Sequence, residues 1–164
     1  MPANDVVIEQ ITGREDLDAV AALEAASFTN PWTREMLERE LARSEVARVY
    51  VLRLPGHRVA AFCACWVVYE ELHINTIAVE PALRRQGLAS ILMRHLLELT
   101  AREGIDRAFL EVRQSNVPAQ RLYHSLGFVT AGVRRNYYSH PEEDAILLIR
   151  HVLPETPDTA TEDG

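Results

Sequence analysis

The order of polar and apolar positions divides the chain into seven strand-length apolar stretches and four segments of helical periodicity. Residues 6–11 read as a first strand. Thr12 and Glu15 then supply the two halves of a capping box, and Leu17, Val20, Ala21 and Ala25 follow at helical spacing to about Ser27. Asn30-Pro31-Trp32-Thr33 breaks this helix. Thr33 is placed to cap a second one, with Met36, Leu37 and Leu41 on one face and Glu35 and Arg39 as an i,i+4 pair. Residues 46–54 and 59–70 are strand-like on either side of the turn Pro55-Gly56-His57-Arg58, which makes them a hairpin. The longest apolar run, residues 59–69, is too short for a transmembrane helix and reads as a central strand.

Residues 72–79 form a fourth strand, stopped by Pro81. A loop rich in Arg leads to a helix with Leu88, Ile91, Leu92, Leu96 and Leu99 on one stripe, and Gly104 sits where a C-terminal glycine belongs. Residues 108–112 are the next strand. Strand, loop, helix and strand over residues 72–112 make a βαβ unit, so these two strands are expected to run parallel. Residues 116–126 are a short helix closed by Gly127, and residues 128–133 and 145–152 are the last strands. The expected architecture is a single α/β domain over residues 1–153, with a mixed central sheet of about seven strands flanked by about four helices. Residues 154–164 carry Pro, Thr, Asp and Glu without an apolar face and read as a disordered acidic tail.

Composition narrows the function classes. With 164 residues, 48% of them apolar, the chain is the size of one core and too apolar for chain-wide disorder. A net charge of −7 argues against nucleic acid as the main partner, because such binders carry a basic face. All 17 basic residues are Arg. Cys63 and Cys65 share one face of a strand, where disulfide geometry is poor, and no His or Cys lies at metal spacing. They read as buried core thiols in a reducing, cytoplasmic setting. No basic region followed by an apolar run opens the chain, so no signal peptide and no membrane partner are expected. His73, His95, His124 and His151 show no triad or metal spacing and read as structural.

Three segments carry candidate chemistry. Arg84-Arg85-Gln86-Gly87-Leu88-Ala89 follows a strand and opens a helix, so the free N–H groups of the first helical turn form an anion site suited to a pyrophosphate. The alternative is that Gly87 only permits tight helix–strand packing. Glu111 lies near the end of a short apolar strand, either as a functional carboxylate or facing solvent. Tyr123 lies on the short helix, either as a functional phenol or as a core residue with its hydroxyl at the rim.

Taken together, residues 72–133 resemble the GNAT acetyltransferase superfamily. The match is the motif Arg/Gln-x-x-Gly-x-Gly/Ala, here Arg84 to Ala89, after Ile77-Ala78-Val79-Glu80-Pro81 and before Asn116 and Leu122-Tyr123-His124-Ser125-Leu126-Gly127-Phe128. The resemblance implies acetyl-CoA as co-substrate and no metal. It also implies a splayed pair of parallel strands that admits the pantetheine arm. Ile77, Ala78 and Val79 would offer backbone groups to that arm, and Asn116 would contact it. Arg84, Arg85, Gln86, Gly87, Leu88, Ala89 and Ser90 would cradle the pyrophosphate.

Pro31-Trp32-Thr33, Leu110-Glu111-Val112-Arg113, and Arg134-Arg135-Asn136-Tyr137-Tyr138 followed by Glu143-Asp144-Ala145-Ile146 resemble one branch of the superfamily more closely. That branch acetylates the N-terminal alanine of a small-subunit ribosomal protein. Thr76 departs from it, standing where the branch usually carries Asn. The resemblance implies Glu111 as general base, Tyr123 as general acid, and Trp32, Tyr137 and Tyr138 beside the acceptor groove. Trp32 could equally be core packing, and Arg134 and Arg135 could pair with Glu142, Glu143 or Asp144. An α-amine titrates at about 7.7–8.0 and Lys at about 10.4, so the α-amine costs roughly 3.4 kcal/mol less to deprotonate. Another protein N-terminus, a small amine, or a non-catalytic acyl-CoA-binding module are the competing readings.

Overall fold

The computed structural model describes residues 5–11, 13–42 and 45–151. In chain order the elements are β1 (Val7–Gln10), α1 (Arg14–Ser27), α2 (Arg34–Leu41), β2 (Ala47–Leu54), β3 (His57–Val68), β4 (Glu71–Val79), α3 (Leu88–Arg102), β5 (Arg107–Arg113), α4 (Val117–Ser125), β6 (Val129–Tyr138) and β7 (Glu143–His151). The strands form one sheet in the order β1-β2-β3-β4-β5-β7-β6. β4 and β5 are parallel, as the crossover through α3 requires, and the other described pairs are antiparallel.

Helices cover both faces of the sheet, which is why its central strands read as continuous apolar runs. Tyr50, Leu52, Cys63 and Cys65 pack with Leu88, Leu92 and Leu96 of α3 and with Tyr123 of α4. Val49, Val51 and Phe62 face the other way, onto Leu17, Val20 and Leu23 of α1 and Leu37 of α2. Fully burying side chains such as Phe62 or Leu92 contributes about 1.5–3 kcal/mol each. Both cysteines are free and buried. His73 stacks on Phe109, and His124 Nδ1 lies 3.0 Å from the Phe128 carbonyl oxygen, each in a structural setting.

Several local expectations are corrected. α1 starts at an N-cap Gly13 with no side-chain cap, and Glu15 meets Arg58 at 2.8 Å; the Thr12 half of the expected capping box lies outside the described residues. Thr33 does cap α2, accepting the Met36 N–H at 3.1 Å. Met36 itself is exposed, however, and the i,i+4 ion pair is Arg34–Glu38 at 3.4 Å rather than Glu35–Arg39. Ile91 is also exposed. At about 100° per residue the buried stripe of α3 centres on Leu92, Met93, Leu96 and Thr100, which leaves Ile91 on the far side. The turn after β2 is tighter than expected, since β3 already begins at His57. β6 runs five residues past the expected end, through the polar stretch Arg134-Arg135-Asn136. The expected tail, residues 154–164, lies outside the described residues.

An ionic knot ties the first turn of α1 to the β2–β3 hairpin. Arg53 donates to both Asp16 oxygens at 2.9 Å, Arg58 Nε donates at 3.0 Å, and Arg53 also reaches Glu9 at 3.0 Å. The Arg53 guanidinium holds the Asp16 carboxyl below the usual carboxylate range. A carboxyl lowered in the folded state stabilises above its unfolded pKa of about 3.9, and that stability is lost as pH falls through the folded value. Asp16→Asn is therefore expected to cost about 1–3 kcal/mol at neutral pH, with the gap from wild type closing below about pH 4. Urea unfolding across pH measures this.

Candidate active site

The parallel ladder between β4 and β5 runs only from Glu71↔Arg107 to Ile74↔Leu110. Beyond it β4 stays on β3, with Thr76↔Ala64 through Val79↔Ala61, while β5 stays on β7, with Glu111↔Leu147 through Arg113↔Ala145. The two strands diverge into a V. The register on β3 shows a local cause: Cys65 pairs with Ile74 and Ala64 with Thr76, so Asn75 is an extra, bulged residue. A bulge bends its strand and increases the local twist. It leaves the outer edge of β4 past Ile74 without ladder partners on β5, so backbone polar groups there are free for a ligand.

A cavity of about 600 Å³ fills this V. Ile77, Glu111, Asn116 and Tyr123 line it, together with Trp32, Tyr137 and Tyr138. Asn116 caps α4, its Oδ1 accepting the Ala119 N–H at 3.2 Å. Tyr123 is 5% exposed and packs edge-on against Phe128 at 5.7 Å between centroids. Burial, with Cys63 and Tyr138 nearby, pushes its phenol well above the usual tyrosine value. Arg134 Nε lies 3.1 Å from Glu111 Oε2. Tyr138 is pushed up to about 12, chiefly by burial, and the Arg113 guanidinium sits 4.4 Å from its ring centre. Tyr137 meets Tyr138 edge-on at 5.0 Å.

The remaining cofactor candidates lie outside the cavity lining. Ala78 is buried against the α1–α2 side, and Val79 packs partly into the opposite core. Past the end of β4, Arg84 Nε donates to the Val79 carbonyl at 3.1 Å. Arg84, Arg85, Gln86 and Gly87 are exposed, and Gly87 is the N-cap of α3 at φ +80°, a left-handed conformation that favours glycine. The first α3 N–H to find an intrahelical partner is that of Ile91, which bonds to the Gly87 carbonyl. The N–H groups of Leu88, Ala89 and Ser90 are thus left for an anion, and the first turn carries no acidic residue to compete for them.

Trp32 packs against the core and also lines the cavity. Arg134 pairs with Glu111 rather than with the 142–144 carboxylates. Glu143 instead meets Arg113 at 3.2 Å and the Ser115 N–H at 2.5 Å, and Asp144 accepts the Asn136 N–H at 2.8 Å. Sequence reasoning missed Glu24 and Ser27, two polar residues at the end of α1 that line the same cavity. Glu24 stands four residues after Val20 and seven after Leu17, inside the apolar stripe of α1. A carboxylate at a core position was the available signal.

A strand–loop–helix–strand unit with an opened parallel pair and a glycine-led helix N-terminus defines an acetyltransferase of the GNAT type. The acetyltransferase (GNAT) family model matches residues 17–128, and the chain belongs to that family. It is 40% identical over 134 residues, 82% of this chain and 88% of the relative, to a Bacillus subtilis (strain 168) protein provisionally named a ribosomal protein bS18-alanine N-acetyltransferase. The Escherichia coli (strain K12) ribosomal protein bS18-alanine N-acetyltransferase is 38% identical over 136 residues, 81% of this chain and 89% of that one. The crystal structure of the Escherichia coli ribosomal-protein-S18-alanine N-acetyltransferase superposes with a TM-score of 0.83 at 33% identity, covering 93% of this chain and 97% of that one.

Proposed function

We propose that this acetyltransferase takes its acetyl group from acetyl-CoA and places it on the N-terminal α-amine of ribosomal protein bS18, an alanine, in the cytoplasm. The observation that carries the reading is the V between β4 and β5, with Glu111 on one arm and Tyr123 beside it in one cavity. The free outer edge of β4 beyond the Asn75 bulge and the α3 N-terminus at Gly87 fit an extended thioester arm ending in a pyrophosphate. Acetyl-CoA supplies an activated acetyl thioester when bound.

The chain's own groups divide the work. Glu111 receives the proton of the acceptor ammonium, directly or through water, and Arg134 fixes the orientation of that carboxylate. Unpaired N–H groups on the bulged edge of β4 face the oxygen on which charge develops. Tyr123 keeps its proton at neutral pH because burial raises its pKa. It therefore acts by donating a hydrogen bond to the leaving sulfur and passing across the proton shed by the attacking nitrogen, rather than as a strong acid. Trp32, Tyr137 and Tyr138 form the acceptor side of the cavity.

The test is to incubate the protein and acetyl-CoA with peptides beginning Ala, Ser, Met or acetylated Ala, and to locate the added acetyl by mass spectrometry. Acetylation of the free Ala terminus is the expected result; acetyl found only on internal lysines, or nowhere, overturns the reading. Saturation at 100 times Kd stabilises by about 2.7 kcal/mol, so acetyl-CoA is expected to raise Tm by about 5–10 °C. An unchanged Tm at saturating acetyl-CoA counts against the cofactor assignment.

A further inference from the structure

The last turn of α1 holds two polar side chains that the chemistry above does not use. Glu24 is 3% exposed, and burial raises its carboxyl pKa. Its Oε2 accepts one hydrogen bond, from the Trp32 backbone N–H at 3.1 Å. Among the described residues its other oxygen has no partner, and no arginine or histidine pairs with it. Ser27 lies three residues on, on the same helix face, and its buried Oγ also has no partner. Both side chains line the cavity that holds Glu111 and Tyr123. Leaving the Ser27 hydroxyl buried without a partner costs stability, whereas the unpaired Glu24 oxygen is not fully enclosed. A structural purpose would call only for an acceptor to hold the Trp32 N–H.

We infer that Glu24 and Ser27 are specificity-determining residues that hydrogen-bond the first peptide unit of the acceptor, next to the reacting amine. The inference rests on the acetyl-transfer reading and names what distinguishes its acceptor. Two carboxylates clamped on one ammonium would hold it protonated and unreactive, so Glu24 does not share the amine with Glu111. The next donor along an N-terminal peptide is the N–H of its second residue, and the next acceptor is the carbonyl of its first. A buried carboxylate suits that N–H, through a charge-assisted bond, and a serine hydroxyl suits that carbonyl. A lysine side chain offers methylene groups at the same distance from its amine and satisfies neither. The pair thus favours an α-amine on a peptide over an isolated amine.

The test is a cycle of two substrates and three full-length enzymes: wild type, Glu24→Gln and Ser27→Ala. The substrates are an Ala-initiated peptide and its analogue with an ester oxygen replacing the N–H of the second residue. A glutamine that keeps its oxygen on the Trp32 N–H turns an NH2 donor toward the cavity, where the substrate N–H needs an acceptor. Glu24→Gln is expected to raise the peptide KM about tenfold at near-constant kcat, acetyl-CoA KM and Tm, as for one bond to a charged group. The ester is expected to cost wild type about tenfold in kcat/KM and Glu24→Gln little further, because comparing both substrates on both enzymes cancels the amine's own basicity. Ser27→Ala is expected to raise the peptide KM severalfold. Wild-type peptide KM in both variants, or an equal ester penalty on wild type and Glu24→Gln, overturns the inference while leaving the acetyl-transfer reading intact. Failure of wild type to acetylate any peptide overturns both. Should Glu24→Gln not fold, Ser27→Ala and the wild-type ester penalty decide by the same criteria.

Discussion

Tyr123→Phe is expected to lower kcat by about 10²–10⁴ while leaving the KM for acetyl-CoA within about twofold. The substitution deletes one oxygen and keeps the ring that packs on Phe128. That oxygen has no hydrogen-bond partner among the described residues, so its loss leaves no protein group unsatisfied, and the fold is expected to keep its Tm. The burial that raises the phenol's pKa also fixes the sign of the pH effect. Tyr123 stays protonated through the neutral range, so the wild-type profile is expected to show no limb from its ionisation below about pH 10. Steady-state kinetics with acetyl-CoA and peptide varied separately tests this. A proportional loss in kcat and in acetyl-CoA affinity would reduce Tyr123 to a packing residue.

The features legible in the sequence share a physical character. The βαβ unit, the glycine at the head of α3 and the buried central strands follow from local chain geometry and from covering the sheet on both faces. Neither depends on which distant residue approaches which. The misreadings at Met36 and Ile91 came from phase: a period of 3.6 names the apolar set, but packing chooses which edge of the stripe meets the sheet. The charges misled for a related reason. Arg134 has carboxylates near it in sequence yet pairs with Glu111, because β7 lies between β6 and β5 and brings the outer strands within side-chain reach. Glu24 went unread because an acid on an amphipathic helix is usually solvated. Only the cavity beside it gives its burial a meaning. The V itself is not written in any single strand; it arises from one extra residue, Asn75, in the pairing of β4 with β3.

Glu111→Gln is expected to lower kcat/KM for the peptide by about 10²–10⁴ at neutral pH, with the deficit largest in acid and shrinking as pH rises past about 8. An acceptor α-amine titrates at about 7.7–8.0. Below that range the substrate arrives as an ammonium, and attack on the thioester must wait for removal of a proton that only wild type has a placed carboxylate to receive. Above it most of the amine is already free, and the missing base matters less. Stability is expected to change little, because Glu111 is a quarter exposed and Arg134 about half exposed, so the guanidinium stays solvated when its partner becomes an amide. The glutamine keeps a side-chain oxygen within reach of Arg134, so the shape of the cavity wall is retained and the change reports charge and proton transfer. The measurement is kcat/KM for both enzymes from about pH 6 to 9.5 at saturating acetyl-CoA. If the two profiles run parallel, with the same ratio at either end, the proton leaves by a route that does not involve Glu111, and the ion pair with Arg134 is structural.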